Sequence, residues 1–185
     1  MKERIKIICA VLVMALALPI AACTKTEQET TVVTAVTESS GGMGNPWKSA
    51  DTLDQAAEGA GLGRFDLADG LSVGDVPVRI DRIRYTDGLV EIECSFADVS
   101  MVIRKGLVEA GINRDVSGDY NSYAAEWTQS LKGLEVDCYG FEEGKAEKLL
   151  WSVDDYSFAI LVEAEGGADY GLSADEISSL INAIQ

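Results

Sequence analysis

Strict alternation of apolar and polar residues recurs through the middle of the chain and limits the folds open to it. Residues 89–96 carry an apolar side chain at every second position, and residues 134–138 repeat the pattern. Successive side chains of a strand point to opposite faces of a sheet, so the alternation predicts strands with one buried and one solvated face. The other strand candidates are residues 78–86, 100–105, 123–131, 149–153 and 157–163.

Turn signals separate these segments and keep the connections short. They are Asp87-Gly88, Asn113-Arg114, Lys132-Gly133, Glu143-Gly144 and Asp154-Asp155. Short strands in series with tight connections predict an antiparallel meander of about six to seven strands.

A helix is predicted on either side of the strands. Thr52-x-x-Gln55 is a capping box, and Gly61 is a natural end for the short Ala-rich helix that follows. Ser173-x-x-Glu176 is a second capping box, and apolar residues at helical spacing predict an amphipathic helix over 174–184. The fold class is therefore α+β, an antiparallel sheet packed with an N-terminal and a C-terminal helix.

The first 23 residues predict export and lipid anchoring. A basic start precedes an apolar run over 7–22, which is shorter than the roughly 20 residues of a spanning helix. Ile20-Ala21-Ala22-Cys23 resembles a bacterial lipobox. That resemblance implies a signal peptide over 1–22 and a diacylglyceryl group on Cys23, which anchors the chain on the extracytoplasmic side of the membrane. The alternative is an ordinary secretory signal that happens to end in Ala-Ala-Cys.

A tether and one domain follow the anchor. Residues 23–46 are rich in Thr, Ser and Gly and lack aromatic residues, so they predict a flexible linker of about 26 Å. Residues 47–185 are enough for a single globular domain with one core.

Composition excludes several functions. The chain has 31 acidic and 15 basic residues, for a net charge of -16, which would repel nucleic acid. It has no His, so it lacks an imidazole base or a His-ligated zinc. We predict that it is not an enzyme. The alternative is a cell-wall or glycan-acting enzyme that uses carboxylates.

Two cysteines remain in the domain. The alternation puts Cys94 and Cys138 on core faces. Export permits a disulfide between them, provided that they lie on adjacent strands. The alternative is two buried free thiols that pack as small hydrophobic groups.

One loop gathers carboxylates, a glycine and aromatic residues. It includes Asp115, Asp119, Tyr120 and Tyr123. One interpretation is a binding loop, which offers oxygen ligands to Ca²⁺ or carboxylate and aromatic contacts to a polar ligand. The other is a structural loop whose Asp and Ser side chains cap turns, with Tyr123 opening the next strand and facing the core. Its order does not match an EF-hand, and we predict no resident metal or cofactor.

Three stretches carry a family resemblance that spans nearly all of residues 45–185. They are Asn45-Pro46-Trp47 with the Thr52-Leu53 helix, Val116–Tyr123, and Gly171-Leu172-Ser173 with Glu176-Ile177. They resemble an uncharacterised family of lipoproteins from Gram-positive gut anaerobes. That family is similar to a domain of unknown function found on the outer side of anti-sigma-like membrane proteins. The resemblance implies an extracytoplasmic sensing or binding module, without an activity, a ligand or catalytic residues. From the anchor, the tether and the absence of catalytic motifs, we predict that its partner is an envelope protein or a small ligand.

Overall fold

Within the described residues, eight strands pair side by side in one antiparallel sheet. The computed structural model describes residues 45–108 and 115–184. The sheet contains β1 Lys48–Ala50, β4 Arg79–Thr86, β5 Leu89–Phe96, β6 Val99–Leu107, β7 Ala125–Leu131, β8 Leu134–Glu142, β9 Lys145–Val153 and β10 Tyr156–Ala164. A separate pair consists of β2 Ser72–Val73 and β3 Val76–Pro77.

The strand order joins two meanders at the centre of the sheet. Across the sheet the strands run β1, β4, β5, β6, β10, β9, β8, β7, so β6 lies beside the last strand of the chain. The predicted α+β class is confirmed, but the predicted count of six to seven strands is wrong. The additional strand, β1, pairs Lys48 with Tyr85 of β4 and has no alternating apolar pattern that would reveal it.

The alternation predicted from the sequence builds the core. One row of paired residues crosses five strands at the same level, and each of its side chains is fully buried. The row consists of Ile92, Ile103, Ile160, Leu149 and Cys138. Each large aliphatic side chain in such a row stabilises the fold by about 1.5–3 kcal/mol relative to an exposed one.

The first helix, α1 (Leu53–Ala60), begins at a partly formed capping box. Thr52 Oγ1 accepts from the backbone N–H of Gln55 at 3.2 Å, but the Gln55 side chain accepts from Asp51 and not from Thr52. Gly61 ends the helix with a φ of 68°, in the left-handed region that glycine adopts without strain. The predicted end of this helix is confirmed.

The second helix, α2 (Ala174–Ala183), begins at a complete capping box. Ser173 and Glu176 each bond the other's backbone N–H, as the sequence predicts. The predicted helix ends one residue early, because Ile184 leaves it to bridge to Leu67. The fully buried side chains of α2 are Ile177 and Leu180.

The two cysteines of the domain are free thiols, and the candidate disulfide is wrong. Cys94 lies on β5 and Cys138 on β8, and three other strands separate them in the sheet. A disulfide requires Cα atoms within about 7 Å, which strands so far apart in the order do not provide. Both thiols are buried, and burial raises the pKa of Cys94 to about 12 and that of Cys138 to about 11.

The described residues belong to one compact unit, Met43–Gln185. Several predictions lie outside the described residues: the signal peptide over 1–22, the lipid site at Cys23, the tether up to residue 44 and the turn at Asn113-Arg114. No helix of the described residues has the length and apolar character needed to cross a membrane.

Candidate functional site

Residues 115–124, the described part of the connection from β6 to β7, lie on one face of the sheet. β6 lies in the middle of the sheet and β7 at its edge. These residues contact Arg104 and Lys148, whose neighbours Ile103 and Leu149 point into the core with α1 and α2, so the segment lies on the face opposite the two helices. We call this segment the outer loop and that face of the sheet the outer face.

The outer loop is shaped by its own polar side chains. Asp115 Oδ1 accepts from the N–H of Ser117 at 2.8 Å, and Ser117 Oγ accepts from the N–H of Asp119 at 3.1 Å. Asp119 Oδ1 then accepts from the N–H of Asn121 at 3.2 Å. These are the turn-capping contacts that the structural interpretation of the loop predicts.

Lys148 of β9 fixes three of the four predicted loop residues. Its ammonium lies 3.5 Å from Asp115 and 3.4 Å from Asp119, and stands over the rings of Tyr139 and Tyr123 at 4.6 and 5.1 Å from their centroids. The Tyr123 hydroxyl donates to Asp119 at 2.7 Å. Tyr123 precedes β7 and packs against Tyr139 on the outer face, so the prediction that it faces the core is wrong.

Two pKa values follow from this cluster. Burial alone would raise the pKa of Asp119, but hydrogen bonds from Tyr123 and Asn121 and the charge of Lys148 outweigh it, so the pKa is lowered. Burial raises the pKa of Tyr123, and the neighbouring Asp119 carboxylate raises it further. At neutral pH Asp119 is therefore a carboxylate and Tyr123 a neutral phenol.

Arg104 of β6 fixes the start of the outer loop. It donates to the backbone carbonyls of Val116, at 3.2 Å, and Ser117. It also pairs with the carboxylate of Glu91 on β5, at 2.7 Å from Nε, and the other oxygen of Glu91 pairs with Arg84. Glu91 is only 1% exposed. The alternation in the sequence predicts that Glu91 lies on a solvent-exposed face. That prediction is wrong, because the outer loop and the two arginines cover the Glu91 side chain.

The same arginines connect two of the stretches that carry the family resemblance. The Arg84 guanidinium lies 4.7 Å from the Trp47 ring centroid, and Arg104 lies 6.0 Å from it. Trp47 and the outer loop are far apart in the sequence but meet at this arginine pair. No sequence pattern available for a single chain indicates this meeting.

A polar cleft of about 590 Å³ lies between the outer loop and the sheet. Its charged side chains include Arg104, Asp119, Glu147 and Glu163. Glu147 is half-buried, and burial followed by the carboxylates of Asp169 and Asp119 raises its pKa. Such a cleft can donate and accept hydrogen bonds to a polar ligand.

Tyr120 is separate from the cluster formed by the other predicted loop residues. The residue is 97% exposed, more than any other large hydrophobic residue in the part of the chain that the structure describes. It follows Asp119, which Lys148 and Tyr123 hold in place. The ring is therefore displayed to solvent from a loop whose neighbouring residue is held to the sheet.

An apolar pocket of about 410 Å³ opens on the opposite face, between the sheet and α2. We call it the Lys105 pocket. It is lined by Lys105, Leu134, Trp151, Val153, Asp154, Tyr156, Phe158, Ile181 and Ile184. Lys105 is not among the site residues predicted from the sequence, although it falls two positions after Ile103 and so shares the core face of β6.

No family model, curated protein or solved structure matches this chain. Within residues 45–108 and 115–184, no group of three or more Cys, Asp or Glu side chains is arranged to hold a metal ion. The resemblance to lipoproteins and the Ca²⁺ interpretation of the loop stay predictions from the sequence.

Proposed function

We propose that this chain is a lipid-anchored extracytoplasmic lipoprotein that binds a ligand or a protein of the cell envelope through its outer loop. In this proposal Cys23 carries the anchor and residues 23–46 hold the domain away from the bilayer. The net charge of -16 supports a domain that stands off from anionic headgroups.

The observation that carries the proposal is the exposure of Tyr120 on a fixed loop. Aromatic side chains are frequent centres of binding surfaces, because they bury a large area with few rotatable bonds. A loop that is already ordered loses little further entropy when it binds. Lys148 and Arg104 supply that order here, at no cost to the exposure of the ring.

Binding can be tested by substituting Tyr120 alone and leaving its neighbour Asp119, which holds the loop, unchanged. The chain is purified from the envelope of its host and examined by native mass spectrometry and by crosslinking in cells. We expect Tyr120→Ala to keep the thermal stability and lose the bound mass or crosslinked partner, while Tyr120→Phe keeps both. Unchanged partner capture by Tyr120→Ala would refute a role for the loop surface.

The anchor has its own test. Cys23→Ser should release the protein from the membrane fraction, because it removes the thiol that receives the diacylglyceryl group. Continued membrane retention of this variant would contradict the lipoprotein proposal.

The alternative is a carboxylate-based enzyme that acts on the cell wall or on glycans. It is favoured by a cleft that contains two carboxyl groups, Glu147 and Glu163, because glycoside hydrolysis divides the acid and base roles between two such groups. Burial raises the pKa of Glu147, the direction that suits a general acid. Release of soluble sugar from purified cell wall, lost in Glu147→Gln, would support it. Absence of release by the wild-type protein would count against it.

A further inference from the structure

We propose that the Lys105 pocket binds a small amphiphilic carboxylate, with the apolar body against Trp151 and Phe158 and the carboxylate on the Lys105 ammonium. The pocket lies on the opposite face of the sheet from the outer loop. The proposal therefore does not depend on the role of that loop.

The ammonium of Lys105 is buried in aromatic surroundings. The residue is 4% exposed, and Nζ stands over the rings of Tyr156, Phe158 and Phe65 at 4.5, 5.3 and 5.5 Å from their centroids. Cation–π contacts of this kind stabilise a buried ammonium but do not use its N–H donors.

The hydrogen bonding of Lys105 is incomplete. An ammonium has three donors, and among the described residues this one donates only to the backbone carbonyl of Arg64. No described carboxylate forms an ion pair with it. Asp66 acts on it only at longer range and is itself paired with Arg64. A buried charge without a counterion is costly, so donors and charge are both available to an anion.

The rest of the pocket specifies the other half of the ligand. Trp151 and Phe158 stack with nearly parallel rings whose centroids lie 5.1 Å apart. Ile181 of α2 and Ile184, the residue that follows α2, complete the apolar lining. The pocket volume of about 410 Å³ lies within the range of small-ligand sites, about 300–1,000 Å³. Asp154 is the one acidic residue among those that line the pocket, and it is exposed at the turn after β9. A ligand with an apolar body and one carboxylate fits a pocket that has an apolar lining and a single buried ammonium.

Decanoate and decanol provide matched probes, because they share a chain and differ in charge. Equilibrium dialysis of the full chain with each radiolabelled probe should show saturable binding of decanoate at about one equivalent and at least about tenfold weaker binding of decanol. Lys105→Met should weaken decanoate binding by about tenfold or more and leave decanol binding unchanged. Lys145→Met, which removes an exposed lysine at the start of β9, should leave both unchanged.

Three results would overturn the proposal. They are the absence of saturable decanoate binding, equal affinity for the two probes, and undiminished decanoate binding by a folded Lys105→Met variant. The last would leave Lys105 as a core lysine satisfied by Arg64 and the rings. If Lys105→Met does not fold by circular dichroism, the comparison of the two probes on the wild-type chain still decides the question.

Discussion

Glu91 offers the sharpest test of how the outer face is held together. Each of its carboxylate oxygens pairs with a different arginine, Arg84 and Arg104, and its side chain is 1% exposed. Glu91→Gln keeps the shape but removes the charge, and turns an amide N–H₂ group toward a guanidinium. The two arginines then lose the carboxylate that lies between them.

The expected cost follows from the burial of the three partners. Breaking a buried ion pair from one side costs about 3–5 kcal/mol. Arg84 and Arg104 are 26% and 17% exposed, and Arg84 keeps a second carboxylate, Glu93, at 3.3 Å, so we expect about 2–3 kcal/mol. At about 2.1 cal/mol/K per residue, the 139 residues from 47 to 185 give a fall in Tm of about 7–10 °C.

Urea and thermal unfolding followed by circular dichroism measure this cost. Glu93→Gln is the matched control, because it removes a carboxylate from the same strand and the same face. Its partner Arg82 is 52% exposed, and its second partner, Arg84, keeps Glu91. The control should cost less than about 1 kcal/mol, or less than about 3 °C. Equal losses of stability in the two variants would show that burial gives the Glu91 cluster no added stabilising effect.

Three further predictions concern backbone, thiols and pH. Gly140→Ala should cost at least about 3 kcal/mol, because its Cβ would lie 1.9 Å from the carbonyl oxygen of Lys145. Gly144 has a φ of +87° and nothing within 4 Å of an added Cβ, so in the same unfolding assay Gly144→Ala should cost only about 1–2 kcal/mol. Equal costs for the two variants would refute the close approach of Gly140 to Lys145. Cys94 and Cys138 should resist iodoacetamide at pH 8 in the folded protein and should react with it in urea without a reductant. Mass spectrometry maps the labelled residues, and labelling only after reduction would indicate a disulfide. The lowered pKa of Asp119 means that the hydrogen bonds from Tyr123 and Asn121 and the charge of Lys148, which favour its carboxylate, stabilise the protein above pH 3.8. This contribution fades as pH falls through the folded-state pKa. Asp119→Asn should therefore lower stability by about 1 kcal/mol at pH 7 and by much less at pH 2, and a pH-independent difference would contradict this.

The sequence predicted the elements of this fold better than their arrangement. Each of the seven long strands includes a segment predicted from alternation or from the spacing of turn signals, and the capping box at Ser173 placed the start of α2. These signals depend on residues close together in the chain. The pairing of β6 with β10 could not be predicted in this way. Alternation shows which face of a strand is buried, but it is the same for any order of the strands in the sheet.

For the candidate site, too, local features could be predicted from the sequence and long-range contacts could not. The residues of the outer loop stood out by composition, and their turn-capping contacts are local. The burial of Glu91 was missed, since it results from a loop that returns over the sheet. The burial of Lys105 could have been predicted from the sequence, because Lys105 continues the series of core-facing residues in β6. A charged residue at such a position is expected to be buried among apolar neighbours.

The central pairing of β6 with β10 has a consequence for how the chain acquires its structure during synthesis. β4, β5 and β6 can form a hairpin series as soon as Leu107 has emerged, but one edge of β6 then has no partner until the chain reaches Tyr156. An unpaired apolar edge can pair with other chains. The first half of the sheet is therefore exposed to aggregation for as long as the second half is being made. Substitutions that weaken β10 should lower the yield of soluble protein more than their effect on the finished fold would suggest.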